Sequence, residues 1–237
     1  MQEETYDIRR LAAFLHLTPA QVMRLADRGK LPGRKVSGDW KFSRAEIHHW
    51  LEERIGISDD NELQHVEGVL DRASPTNEEV PQIKELLPLD AIAIPLKART
   101  RTSVITEMVE TAARTGLLWD PPKMIEAVRA RDAMHTTAME NGVALLHPRR
   151  PMPGILGQAF VAFGRTSSGI PFGGSRGDLT DLFFLILSVD DRGHLRVLAR
   201  LSRLINDATF LQELRLAVDA VEVRRRIEER GEELCGP

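Results

Sequence analysis

Two rhythms of apolar residues run along this chain. Near the start the spacing is helical: Ile8, Leu11, Ala12 and Leu15 form one stripe. Thr18 stands as an N-cap with Pro19 in the first helical position, so a second helix is predicted through Val22, Met23, Leu25 and Ala26, stopping at Gly29. Turn signals at Pro32, Gly33 and Ser37-Gly38-Asp39 break the stretch from Lys30 to Phe42 into a two-stranded wing. Ser43 then caps a third helix carrying Ile47, Trp50 and Leu51. Beyond it, Leu63, Val66, Val69 and Leu70 follow the possible cap Ser58 at helical spacing. That short amphipathic helix is expected to pack within the chain, or on a second copy of itself.

From residue 86 onward the two rhythms alternate. Ala91–Leu96, Val143–Leu146, Gln158–Phe163 and Leu182–Val189 are short apolar runs of strand length. Between and after them, helices are predicted over Thr102–Thr115, from Pro121-Pro122 through Arg131, and over Leu195–Ile205, Ala208–Ala217 and Ala220–Gly231. Such alternation predicts an α/β fold, a mixed β-sheet with flanking helices, preceded by a small winged helix-turn-helix domain. No internal repeat is visible.

Charge sharpens the boundaries. Residues 1–55 hold ten Lys/Arg and eight Asp/Glu, residues 56–90 hold two and nine, and residues 91–237 hold twenty and eighteen. The acidic middle includes Ser74-Pro75-Thr76-Asn77-Glu78-Glu79-Val80-Pro81, which suits a solvated linker. Three segments follow: a domain over 1–55, an acidic linker with a short helix over 56–85, and a second domain over 86–237. The 237 residues carry a formal charge of -3, so contact with nucleic acid must come from a local patch. One cysteine, Cys235, gives no disulfide framework. The acidic start Met1-Gln2-Glu3-Glu4 is no secretory signal, and the run Leu182–Leu187 is too short to span a bilayer. A cytoplasmic protein with no membrane partner is expected.

The local basic patch lies in the first domain. Between Arg24 and Arg44 there are seven Lys/Arg against Asp27 and Asp39. Arg24 and Arg28 share one helix face, and Lys30, Arg34 and Lys35 lead into the wing. A cationic helix followed by a basic wing suits phosphate contacts and entry into a major groove. The segments Leu15-His16-Leu17-Thr18-Pro19-Ala20-Gln21-Val22, Gly29-Lys30-Leu31-Pro32, Val36-Ser37-Gly38-Asp39-Trp40-Lys41-Phe42 and Trp50-Leu51 resemble the excisionase or MerR-like winged helix-turn-helix family. That resemblance implies DNA as a partner.

The candidate chemistry of the second domain centres on His147. In Asn141-Gly142-Val143-Ala144-Leu145-Leu146-His147-Pro148-Arg149-Arg150 an apolar strand ends in an imidazole beside two arginines. A histidine is neutral and nucleophilic near neutral pH, and arginine offers planar donors to a phosphoryl group. Arg131-Asp132, Thr136-Thr137, the run into His147, and later His194-Leu195-Arg196-Val197-Leu198-Ala199-Arg200-Leu201-Ser202 resemble the enzyme IIA domain of the fructose/mannitol type, in its nitrogen-regulatory branch. The resemblance implies phosphorylation of His147 by a histidine-containing phosphocarrier protein. It also implies Arg131 as a phosphoryl clamp, His194 as the neighbouring histidine and Thr137 as a hydroxyl donor. No metal and no cofactor beyond the phosphoryl group are expected. Leu146 replaces the family's proline, and Ala138, Met139 and Glu140 replace its glycine-rich loop. The Gly-rich stretch Gly169–Gly177 lacks the Lys-Ser/Thr of a nucleotide loop and is expected as a surface loop near the site.

Together these features point to a regulator that binds DNA and is switched by phosphorylation, with a regulated partner protein and a homodimer as further partners. Two alternatives stand. One is a phosphotransfer intermediate for sugar uptake. The other is an unphosphorylated binding module, which a buried His147, or one far from His194 and Arg131, would favour.

Overall fold

The computed structural model describes residues 5–15, 17–57, 83–173 and 177–235. The amphipathic stretch through Leu63–Leu70 and the linker through Ser74–Pro81 lie outside them. The chain divides into two compact units, Met1–Glu79 and Val80–Pro237.

In the first unit the order is β1 (Thr5–Tyr6), α1 (Ile8–Leu15), α2 (Pro19–Asp27), β2 (Arg34–Val36), β3 (Asp39–Ser43) and α3 (Arg44–Ile57). Thr18 opens α2 with a reciprocal cap: its hydroxyl accepts from Gln21 N, and Gln21 Oε1 accepts from Thr18 N at 2.8 Å. Past the helix, Gly29 takes φ 66°, a conformation that costs a glycine nothing. Ser37 and Gly38, both at positive φ, turn β2 into β3 with Val36 opposite Asp39. One strand escaped the sequence pattern. β1 pairs with the other edge of β3, Tyr6 opposite Phe42, making a three-stranded sheet in the order β1-β3-β2. Two residues are too few to show a period. Leu11, Val22, Leu31, Phe42 and Ile47 are buried at the centre. Met23 is not part of that core, being 44% exposed on α2.

The second unit begins with Ile83, Leu86 and Leu87, all buried. Leu86 offers its carbonyl to Val161 N at 2.7 Å, and Lys84 pairs with Glu228 at 2.7 Å. A 3-10 turn at Leu89–Ala91 leads into β4 (Ile92–Leu96), and α4 (Arg101–Ala113), α5 (Pro121–Met134), β5 (Val143–Leu146), β6 (Phe160–Pro171) and β7 (Leu179–Leu187) follow. Three helices close the unit: α6 (Asp191–Ile205), α7 (Ala208–Leu216) and α8 (Ala220–Cys235). Side chains of Thr100, Asp120, Asp190, Asp207 and Asp219 cap all five of these helices. Each removes an orphan donor of a helix start, worth about 1 kcal/mol.

The sheet is mixed, in the order β4-β6-β7-β5. β4 runs parallel to β6, β6 antiparallel to β7, and β5 parallel to β7. Alternation along the strands sorts the core into two faces. Ala144, Leu146, Phe183, Leu185 and Leu187 join one cluster with Val104, Met108, Met124 and Val128 of α4 and α5. Val143, Leu145, Phe184 and Ile186 are buried on the opposite face, where α6 contacts β7 and α8 contacts β4. No helix among the described residues is long and apolar enough to cross a membrane.

Strand β6 runs well past Phe163, where the apolar run ends, to Pro171. Its register shifts between Arg165 and Ile170, where polar residues continue the hairpin. The Gly-rich stretch is therefore partly strand. Phe172 turns back onto the sheet, fully buried, with its ring 5.3 Å from that of Phe183. The segment's end reaches the Thr136-Thr137 loop, where the Phe172 carbonyl accepts from Thr136 Oγ1 at 3.0 Å.

Candidate functional site

Parallel pairing of β5 with β7 brings two chain segments to the same edge of the sheet. Leu146 stands opposite Leu185, so His147 emerges where β7 is about to give way to Ser188. Asp190 then caps α6 through Gly193 N at 2.8 Å, and His194 completes the first helical turn. The outcome is a histidine pair. The rings of His147 and His194 lie 5.0 Å apart at 55°.

The ring of His147 is oriented by its own strand. Nδ1 lies 2.9 Å from the Leu145 carbonyl. A carbonyl only accepts, so Nδ1 carries a proton, and whenever the ring is neutral it is Nε2 that bears the lone pair. His194 Nδ1 lies 3.4 Å from Ser188 Oγ. Both histidines are buried, at 3% and 2% exposure. Arg149 and Arg150 follow on the exposed surface.

Arg131 and Thr137 lie close to one another in the chain at the end of α5. Arg131 is buried, and its Nη1 donates to the His135 carbonyl at 3.1 Å. The Thr137 hydroxyl donates to Asp132 Oδ1 at 3.0 Å. In this arrangement its single proton goes to a carboxylate rather than outward. The Thr137 carbonyl accepts from Leu145 N at 3.1 Å, which ties this loop to the strand that carries His147. Glu140 is exposed in the turn before Gly142, at the start of β5, with the whole strand between it and His147.

Three residues here carry no role in the sequence pattern. Ser188 touches His194, Asp132 holds Thr137, and Arg101 holds Asp132 through its Nε. Asp132 stands beside Arg131 within a motif, which is the one signal that could have marked it. Arg101 is distant in the chain and gives none.

In the first unit, Arg24, Arg28, Lys30, Arg34 and Lys35 are all exposed. Val22 and Ala26 turn the other side of α2 inward. Asp27, the acid on α2, is tied to the wing: Trp40 Nε1 donates to it at 3.3 Å and Lys35 Nζ lies 3.7 Å away. Lys35 also sits 5.2 Å from the Trp40 ring centre. A shallow groove on α2 is lined by Ala20, Met23, Arg24, Asp27 and Arg28. The helix thus presents Met23 between cations, while its one carboxylate is turned to the wing.

Comparison with known proteins matches each unit to a family model. A family model described as the phosphoenolpyruvate-dependent sugar phosphotransferase system, EIIA 2, matches residues 85–230. A helix-turn-helix domain model matches residues 5–55. A nitrogen regulatory protein of Bradyrhizobium diazoefficiens is 33% identical over 141 residues, 58% of this chain and 89% of that protein. The fructose-specific EIIABC component of the phosphotransferase system of Bacillus subtilis is 29% identical over 126 residues, which is 19% of its own length. Among solved structures, the nitrogen regulatory protein IIA-Ntr from Neisseria meningitidis superposes with a TM-score of 0.55 at 27% identity, covering 61% of this chain and 98% of that one. The mannitol IIA of Escherichia coli, at 20% identity and TM-score 0.53, covering 59% of this chain and 97% of its own, shows the fold alone.

Proposed function

This chain belongs to the EIIA 2 family of the phosphoenolpyruvate-dependent sugar phosphotransferase system over residues 85–230 and carries a helix-turn-helix DNA-binding domain over residues 5–55, and from that premise we propose that His147 accepts a phosphoryl group that controls the DNA-binding unit. The observation that carries this reading is the histidine pair at the end of β5, with Nδ1 of His147 2.9 Å from the Leu145 carbonyl. Nε2 of the neutral ring attacks the phosphorus of a donor phosphohistidine. The new N–P bond forms as the donor's N–P bond breaks, and the donor imidazole leaves with the electron pair. Arg131 balances the charge of the bound phosphoryl group and His194 lies beside it. The donor is a histidine-containing phosphocarrier protein, and the setting is the cytoplasm.

The phosphoryl group adds about two negative charges. That charge shifts the contacts of the second unit with DNA-bound protein, with a regulated partner or with a second copy of the chain. Arg24, Arg28, Lys30, Arg34 and Lys35 supply the phosphate contacts to DNA.

The burial of His147 favours a second reading, in which the domain binds a partner without being phosphorylated. Labelling with phosphoenolpyruvate and the general phosphocarrier system separates the two. Label on the wild type that is lost in His147→Ala supports transfer, and an unlabelled wild type supports the binding module.

A further inference from the structure

Asp132 sits in the last turn of α5 at 3% exposure, and both of its carboxylate oxygens are engaged from outside its helix. Oδ2 accepts from Arg101 Nε. Oδ1 accepts from the Thr137 backbone N–H at 3.3 Å and from the Thr137 hydroxyl at 3.0 Å. Arg101 is itself fixed twice more. Its Nη2 donates to the Asp132 carbonyl at 2.7 Å, and its guanidinium lies 5.4 Å from the Phe172 ring centre on the β6–β7 hairpin.

The chain of hydrogen bonds continues to the reactive ring. The Thr137 carbonyl accepts from Leu145 N at 3.1 Å, and the Leu145 carbonyl accepts from His147 Nδ1 at 2.9 Å. With Asp132 buried and Arg101 partly exposed, this ion pair contributes little net stability, because desolvation and solvent screening offset the Coulomb attraction. This pair does something that packing could not. It holds two obligate donors, Arg101 Nε and the Thr137 N–H, on two oxygens of one carboxylate. That fixes the height of Thr137 against β5, and with it Leu145, the residue whose carbonyl selects the His147 tautomer.

We propose that Asp132, braced by Arg101, is a positioning residue for the phosphoryl acceptor, acting through Thr137 and the Leu145 carbonyl to hold His147 with Nε2 as its nucleophile. The inference rests on His147 as the phosphoryl acceptor. Its tautomer component is independent of that role.

Asp132→Asn is the direct test. A carboxamide has one acceptor oxygen, so it must set an NH2 group against one of the two donors. In single-turnover transfer from the phosphorylated phosphocarrier, the saturating rate should fall about 10²-fold, the cost of a roughly 1 Å misplacement. The donor concentration for half-maximal rate should stay unchanged. Asp132→Glu, which keeps two acceptor oxygens, should recover most of the loss. Nitrogen-15 spectra of the His147 ring should show one Nδ1-protonated tautomer in the wild type and a mixture in Asp132→Asn. An unchanged rate and an unchanged ring spectrum in a folded Asp132→Asn overturn the proposal. So does a rate loss that Asp132→Glu does not reverse. If Asp132→Asn does not fold, Arg101→Lys, at a partly exposed position, loses the same Nε bond and gives the same two readings. If the wild type takes no label, the ring spectra alone decide: a shifted tautomer supports the positioning role and an unshifted one overturns it.

Discussion

His194, from the first turn of α6, places its ring 5.0 Å from that of His147 at the end of β5. The two residues meet because β5 and β7 run parallel and end at the same edge, so the loop after β7 starts its helix beside the strand that leads into His147. A neighbouring imidazole at this distance suits a group that supports the phosphoryl while it is being transferred. His194→Ala should slow labelling of His147 by about 10²-fold, the loss typical of one transition-state donor, and leave the labelled residue unchanged. Rapid-quench labelling of the two proteins measures the ratio. Equal rates would remove His194 from the site.

The DNA-binding unit gives a prediction in salt. Each Lys or Arg that neutralises a phosphate adds about 0.9 to the slope of log affinity against log salt on duplex DNA. Arg24→Ala and Arg28→Ala together should flatten that slope by about two such contacts. Fluorescence anisotropy on genomic fragments measures it. If the wild type shows no binding even at low ionic strength, the phosphate-contact assignment is wrong.

Gly164 in β6 predicts a packing effect with no bearing on chemistry. A Cβ there would stand 2.5 Å from Leu96 Cδ1 and 2.5 Å from Met108 Sδ, both buried. Gly164→Ala should therefore destabilise the second unit by about 1–3 kcal/mol through overpacking. Urea unfolding followed by circular dichroism checks it, and a midpoint equal to that of the wild type would show that the strand yields without cost.

Asp207 predicts a pH-dependent effect. Its carboxylate caps α7, and the Phe210 N–H above all, with Thr209 N–H and Arg230 adding to it against an opposing desolvation, holds its pKa below the ordinary 3.8. A carboxyl depressed on folding stabilises the folded state above its unfolded pKa, and that stability is lost as pH falls through the folded value. Asp207→Ala should thus cost about 1 kcal/mol at neutral pH. The difference from the wild type should vanish once both are studied in acid below the titration of Asp207. A difference that persists there would assign the loss to packing instead.

Strand β5 was legible to the residue, because Gly142 and His147-Pro148 bound its apolar run on both sides. Strand β6 was not. Its second half, Arg165 to Pro171, carries no apolar period and owes its pairing to β7. Met23 fits a helical run by sequence yet points outward, since Val22 and Ala26 already fill the inward face of so short a helix. At the site, motif residues were visible and their supports were not. His147 and His194 stand in recognisable patterns, but the carboxylate that holds Thr137 depends on Arg101, which only the folded chain brings near. Glu140 stands close to His147 when the chain is taken as a line. Folding sets it at the opposite end of β5.

The most direct test of the account is phosphoryl label on one nitrogen. Full-length protein incubated with labelled phosphoenolpyruvate and the general phosphocarrier system should take up acid-labile label on Nε2 of His147, and His147→Ala should take up none. An unlabelled wild type, or equal label on His147→Ala, would contradict it.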